Sequence, residues 1–181
     1  MEQKQEIRTK IKAILRSKPN DQLGLWNLLL CERVKKYLTT PMQIALYKAL
    51  SKEACVETIV PSLEAEGYQF CYPRVDNQEL YFLAGPLFEK NIFSIWEPVK
   101  SAKWIPNHEI KICFIPLVAF DDKGVRLGKG KGFYDRFLAD FTGKKVGLAF
   151  SCQQVESLPK DSHDILLDAV ITEKEVLQFS S

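Results

Sequence analysis

Apolar residues recur at two different spacings along the chain, and the switches between them mark out its elements. Ile7, Ile11, Ile14 and Leu15 stand three or four positions apart and the pattern stops before Pro19, which predicts an amphipathic helix over residues 3–17. Asn20 reads as the cap of a second helix running through LGLWNLLLCERVKKYL, residues 23–38. After Pro41 the run QIALYKAL, residues 43–50, is short and rich in apolar residues, as a strand buried on both faces is. Helical spacing returns at residues 54–67 through Val56, Ile59, Val60 and Leu63. It ends at Gly67, with Pro61 placing its start late.

Downstream, residues 68–75 and 79–85 predict two strands around the polar stretch Asp76, Asn77 and Gln78. IKICFIPLVAF, residues 110–120, is the most strand-like segment and is expected at the sheet centre. The turn DDKG follows, then the glycine-rich stretch RLGKGKG, a helix over residues 133–141, a strand over 145–150 and a last strand over 167–172. Strands alternating with helices predict an α/β fold of three layers with a mostly parallel central sheet. No internal repeat, low-complexity tract or linker divides the sequence, so residues 1–181 are read as a single domain.

Composition narrows the partners. Twenty-five Lys and Arg stand against 23 Asp and Glu, a net charge of +2, which provides no global field for nucleic acid or a membrane surface. Anion binding must come from local clusters. Five scattered cysteines, an odd number with no C-x-x-C pair and no nearby histidine at zinc-like spacing, fit a reduced cytoplasmic protein. The charged opening residues lack the apolar stretch of a signal peptide, and no later apolar run reaches membrane-spanning length, so neither export nor anchoring is expected. A monomer is expected.

The candidate chemistry lies in Arg126, Leu127, Gly128, Lys129, Gly130, Lys131, Gly132, Phe133, Tyr134 and Asp135. Alternating glycines let backbone N–H groups converge on an anion, the helix that follows adds positive potential at its start, and the cations neutralise phosphoryl oxygens. The spacing matches neither a Walker loop nor a G-x-G-x-x-G dinucleotide fingerprint. A solvated turn using glycine for positive φ is the plainer interpretation of the spacing alone.

The wider string from Pro116 through Asp121, Gly124, the glycine stretch and Asp135 to Leu138 closely resembles the signature of the 5-formyltetrahydrofolate cyclo-ligases, also called 5,10-methenyltetrahydrofolate synthetases. Gly147 to Phe150 with Gln153, Leu158 with Pro159, and the stretch from His163 and Asp164 through Asp168 to Thr172 follow in the family's order and spacing. Upstream, Pro73 with Arg74, Ile95 to Pro98, and Lys4, Arg8, Leu15 and Arg16 resemble shorter landmarks. The resemblance implies a Rossmann-like three-layer fold of the sugar-phosphate isomerase and CoA transferase kind.

It also implies residue roles. Residues 126–134 with Lys4 and Arg8 are carried over as ATP contacts, with Lys131 and Arg126 as the catalytic cations. Lys4 and Arg8 stand one turn apart on one helix face, with Lys12 and Arg16 continuing a stripe that on spacing alone is an ordinary solvated face. Asp135 and Asp168 resemble the family's Mg2+ carboxylates, although each is unremarkable without it: a first-turn acid and a strand-end residue. Leu50, Glu53, Cys55, Phe93, Lys129 and Tyr134 fall at folate-contacting positions. There the chain departs from the family, since Cys55 stands where a polar substrate contact is expected, which leaves Glu53 or a water to substitute, or a weaker affinity for the substrate. His163 reads as a capping or hydrogen-bonding residue, and His108 lies in a polar loop without partners.

The implied reaction is closure of 5-formyltetrahydrofolate to 5,10-methenyltetrahydrofolate with ATP and Mg2+. The formyl oxygen attacks the γ-phosphate, N10 closes the ring on the activated carbon, and phosphate leaves. Two other functions are compatible with a glycine loop on such a fold: a sugar-phosphate isomerase or phosphotransferase, and a non-catalytic folate-, nucleotide- or RNA-binding module. Near-zero net charge argues against RNA.

Overall fold

Strict alternation along the central strands builds two cores, one on each face of a single sheet. A computed structural model describes residues 2–91, 94–161 and 164–179. The chain runs α1 (Glu2–Ser17), α2 (Asn20–Tyr37), β1 (Gln43–Ala45), α3 (Val60–Ala65), β2 (Gln69–Asp76), β3 (Glu79–Ala84), β4 (Phe88–Lys90), β5 (Trp96–Pro98) and β6 (Lys103–Trp104). There follow β7 (Ile112–Pro116), β8 (Ala119–Phe120), β9 (Arg126–Leu127), α4 (Phe133–Ala139), β10 (Lys144–Leu148), β11 (Ala169–Ile171) and β12 (Val176–Gln178). Eight strands form one sheet in the order β12-β11-β10-β7-β1-β2-β3-β6. From β11 to β2 every pairing is parallel, and the flanking strands β12, β3 and β6 pair antiparallel.

Ile44, Phe70, Ile112, Phe114, Val146, Leu148 and Ile171 point to one face, where they pack with Ile11 and Leu15 of α1, Leu30 and Val34 of α2 and Leu63 of α3. Ala45, Cys71, Cys113, Ile115 and Val170, one position along in each strand, point to the other face and meet Phe137 and Leu138 of α4. Helices on both faces of a mostly parallel sheet make the expected three layers, with β7 at the centre between β10 and β1. Gly147 in β10 is required by this packing. A Cβ there would lie 2.7 Å from Leu117 and 2.9 Å from Leu167.

Local chemistry shortens several predicted elements. The strand predicted over residues 110–120 ends at Pro116, which has no N–H for the ladder. The chain then turns, and Val118 N–H pairs with Leu127 O at 2.7 Å in the separate β8–β9 ribbon. The strand predicted over 43–50 keeps only its first three residues: Leu46 N–H still donates to Cys71 O at 2.9 Å, the chain then leaves the ladder, and it turns where Lys52 has a φ of 68°. Pro61 sits in the first turn of α3, and the helix begins at Val60, after one 3-10 turn, the late start expected from the proline. Asn20 does not cap α2. Pro19 holds that position, and the Asn20 Oδ1 instead accepts from Lys52 Nζ at 2.7 Å. The hairpin of β4 and β5 and the edge strands β6 and β12 lie outside the predicted set. Each is two or three residues long, too short for periodicity to register.

Candidate active site

Ligands of open parallel sheets bind beyond the carboxyl ends of the strands, and there a cleft of about 1570 Å³ opens. Its floor is Pro116 and Leu117 at the end of β7. One wall is the segment from β9 through the glycine loop to α4, with α1 beside it. The opposite wall combines Tyr47, Lys48, Leu50 and Glu53 after β1, residues 73–76 at the end of β2, and the β4–β5 hairpin with Trp96 and Glu97.

The glycine loop has the conformation its residues predict. Gly130 and Gly132 adopt φ of 96° and 68°, left-handed values that side chains resist. A Cβ on Gly130 would stand 3.3 Å from the Arg8 guanidinium, and one on Gly128 3.2 Å from Arg126 Nη1. The two arginines therefore pack against bare backbone, and Arg8 Nε donates to Gly128 O at 2.9 Å. α4 has only seven residues, so the positive potential expected from its start is small and the cations carry the electrostatics.

Arg126 is buried at 7% exposure. Its Nη2 donates to Asp135 Oδ1 at 2.5 Å, while its Nε has no partner among the described residues. The Tyr134 hydroxyl is buried next to it, also without one. Burial pushes that phenol well above its ordinary range, with Cys113 and Glu53 adding to the shift and Arg126 opposing it. Buried polar atoms left unsatisfied are costly, and two of them lining one cleft point to a polar ligand. Lys4 reaches Asp161 Oδ2 at 2.8 Å and Asp164 Oδ2 at 2.6 Å. Burial lowers its pKa, but hydrogen bonds to the two aspartates outweigh burial and leave it raised.

Most residues singled out in the sequence thus meet in one place: Lys4, Arg8, Leu50, Glu53, and the whole run from Arg126 to Asp135 line the cleft. Two do not. Asp168 stands at the amino end of β11, the opposite edge of the sheet, where its Oδ2 accepts from Lys145 N at 2.7 Å and pairs with Lys145 Nζ at 3.1 Å. It cannot share a metal with Asp135. The further aspartates in the cleft are Asp76 on the opposite wall and Asp161 and Asp164, the last four residues upstream of Asp168 in the same resembling stretch. Cys55 is turned away as well: its N–H donates to Asn27 Oδ1 at 2.9 Å and its thiol, raised in pKa by burial, faces Glu57 at 3.8 Å. Phe93 and His163 lie outside the described residues.

Sequence reasoning passed over Tyr47, Lys48 and the Lys90–Trp96 pair. Lys48 Nζ sits 4.7 Å from the Tyr72 ring centroid and 4.5 Å from that of Phe88, and pairs with Glu57. Its only sequence signal was a cation inside an apolar run. Among the described residues no group of three or more His, Cys, Asp or Glu could hold a metal by itself. A magnesium ion here needs ligand phosphates to complete its shell, which is its usual habit.

A parallel-sheet α/β protein whose glycine loop and cations line a cleft at the strand ends is of a class whose cleft chemistry suits anionic ligands. Comparison with known proteins narrows this class. The model of the 5-formyltetrahydrofolate cyclo-ligase family matches residues 1–173. A 5-formyltetrahydrofolate cyclo-ligase of Haemophilus influenzae is 39% identical over 134 residues, which cover 68% of this chain and 72% of that one. The NMR structure of Aquifex aeolicus 5,10-methenyltetrahydrofolate synthetase matches with a TM-score of 0.86 at 28% identity, covering 98% of this chain and 93% of that one. A 5,10-methenyltetrahydrofolate synthetase from Mycoplasma pneumoniae matches at 0.80 with 25% identity, covering 94% and 98%. The chain belongs to the 5-formyltetrahydrofolate cyclo-ligase family and is a ligase enzyme.

Proposed function

We propose that the protein converts 5-formyltetrahydrofolate and ATP to 5,10-methenyltetrahydrofolate, ADP and phosphate. The observation that carries this reading is the single cleft. At about 1570 Å³ it exceeds the space one small ligand needs, and it joins a cationic glycine loop to a wall with aromatic and carboxylate groups. Two substrates can therefore meet in it without leaving the protein.

A formamide oxygen is a poor leaving group, so the amine N10 cannot close the ring until that oxygen is phosphorylated. In the overall change an O–P bond forms as the β,γ phosphoanhydride breaks, then an N10–C bond forms as the C–O bond breaks and N10 loses its proton. The chain's part is positioning and charge neutralisation. Arg126, Lys129 and Lys131, with Lys4 and Arg8 from α1, would face the phosphates, and the backbone of residues 128–132 is open to them. Lys131 and Arg126 are the cations proposed to offset charge on the transferred group. Leu50, Glu53 and Tyr134 would hold the folate, the Tyr134 hydroxyl gaining the partner it lacks. Magnesium, when bound, supplies further neutralisation of the phosphates, with Asp135 and Asp164 the carboxylates proposed to face it.

The test is direct. Purified protein with Mg-ATP and 5-formyltetrahydrofolate should generate the methenyl chromophore and one ADP per product. Absence of product with both mono- and polyglutamyl substrates overturns the proposal, and turnover of a sugar phosphate in their place would favour an isomerase or phosphotransferase.

A further inference from the structure

Several of the cleft's cations are held by carboxylates, and the pairs differ in where the carboxylate comes from. Asp135 holds Arg126 from within the same loop-and-helix segment, and Asp161 and Asp164 hold Lys4 beside it. Glu53 comes from the opposite wall. Its Oε1 meets Lys129 Nζ at 2.5 Å, bridging the mouth of the cleft.

The two partners are not equally anchored. The Glu53 Oε2 accepts from Leu50 N at 2.8 Å, and Glu53 N donates to Leu50 O at 3.0 Å, so the carboxylate is locked into its own turn. Lys52 in the same turn is tied to the α1–α2 junction by donating to Lys18 O at 2.9 Å and to Asn20 Oδ1. Lys129, by contrast, rides between Gly128 and Gly130, and its side chain is 48% exposed against 17% for Glu53. A lysine flanked by glycines has many orientations to lose, and the fixed carboxylate removes most of them.

We propose that Glu53 is a positioning residue that holds Lys129 at the seam between the two ends of the cleft, so that folate occupancy raises the affinity for nucleotide. This rests on the two-substrate reading above. A ligand against Leu50 and Glu53 excludes water from the ion pair, which strengthens it and fixes the loop. The nucleotide then meets an ordered loop and loses less freedom on binding. Linkage requires the converse, with nucleotide tightening folate by the same factor.

The experiment measures binding of a non-hydrolysable ATP analogue with Mg2+ by calorimetry, with and without 5-formyltetrahydrofolate, for the wild type, Glu53→Gln, Lys129→Met and the double variant. Folate should tighten the analogue about tenfold in the wild type and less than about twofold in each variant, the double losing no more than either single. Glu53→Asp keeps the charge but shortens the reach, and serves if Glu53→Gln fails to fold; its tightening should fall between these values. Tightening that persists undiminished in Glu53→Gln, or Glu53→Asp in its place, or that is absent in the wild type, overturns the inference. Methenyl formation by the same wild-type sample separates this outcome from failure of the function itself, which would show as no product.

Discussion

The two ends of the cleft are built in opposite ways. The glycine-loop end is almost one continuous stretch, residues 126–135, completed by two cations from one face of α1. The hairpin end is gathered from the turn after β1, the end of β2 and the separate β4–β5 hairpin, segments brought together only by tertiary packing. A phosphate is recognised by backbone N–H groups and compact charges, which a short glycine-rich segment supplies by itself. An aromatic, multi-ring substrate needs side chains at many angles, and these come from several strand ends.

The contrast predicts unequal responses to substitution. The largest effect is expected at Lys131. Lys131→Ala should cut kcat by about a thousandfold while folate binding changes by less than about twofold, measured by turnover and by ligand titration with the fold checked by circular dichroism. A comparable loss of folate binding would erase the distinction between the ends. Next, Asp135→Asn should lower kcat on the order of a hundredfold and move the magnesium titration to higher concentration. Asp168→Asn, at the far edge of the sheet, should leave turnover within about twofold and cost only about 1 kcal/mol of stability in denaturant unfolding.

Tyr134→Phe should separate stability from substrate contact at a residue of the loop segment that is proposed to face the folate. Removing a buried hydroxyl that lacks a partner should raise stability by roughly 1 kcal/mol in thermal unfolding, while the KM for folate rises several-fold. A folate KM that does not move would take Tyr134 out of the substrate contacts.

A last effect, on stability alone, tests the sheet beneath both ends. Burial pushes the Cys71 thiol from 9.0 up to about 12. Between those values the unfolded chain loses the proton and the folded one keeps it, so unfolding is favoured as pH rises, by at most about 1.4 kcal/mol per pH unit. Below pH 9 the contribution is constant. Unfolding curves from pH 8 to 10.5 should fall in this window, and Cys71→Ala should make the fall shallower by this share, leaving that of Cys113, whose thiol is also raised by burial.

How much could be read in advance follows the same division. Periodicity located α1, α2, β2, β3 and the central strand, because each buries a face long enough to repeat. It overran where one residue changes the backbone, as at Pro116, and it missed strands of two or three residues. In the cleft, the glycine loop and its cations were legible and Glu53 was found beside them. Asp168 and Cys55 were placed there by their position in a resembling motif, and the tertiary structure turns both away.

The sequence by itself determined the alternation that makes a sheet covered on both faces, the glycines that free the loop from 128 to 132, and the family that carries them. Strand order, and with it the wall that faces the loop, was decided only in three dimensions. Which carboxylate meets which cation depends on the edge of the sheet where each residue emerges. Three residues of parallel strand separate Asp168 from the carboxyl end of β11, and no spacing along the chain encodes that direction.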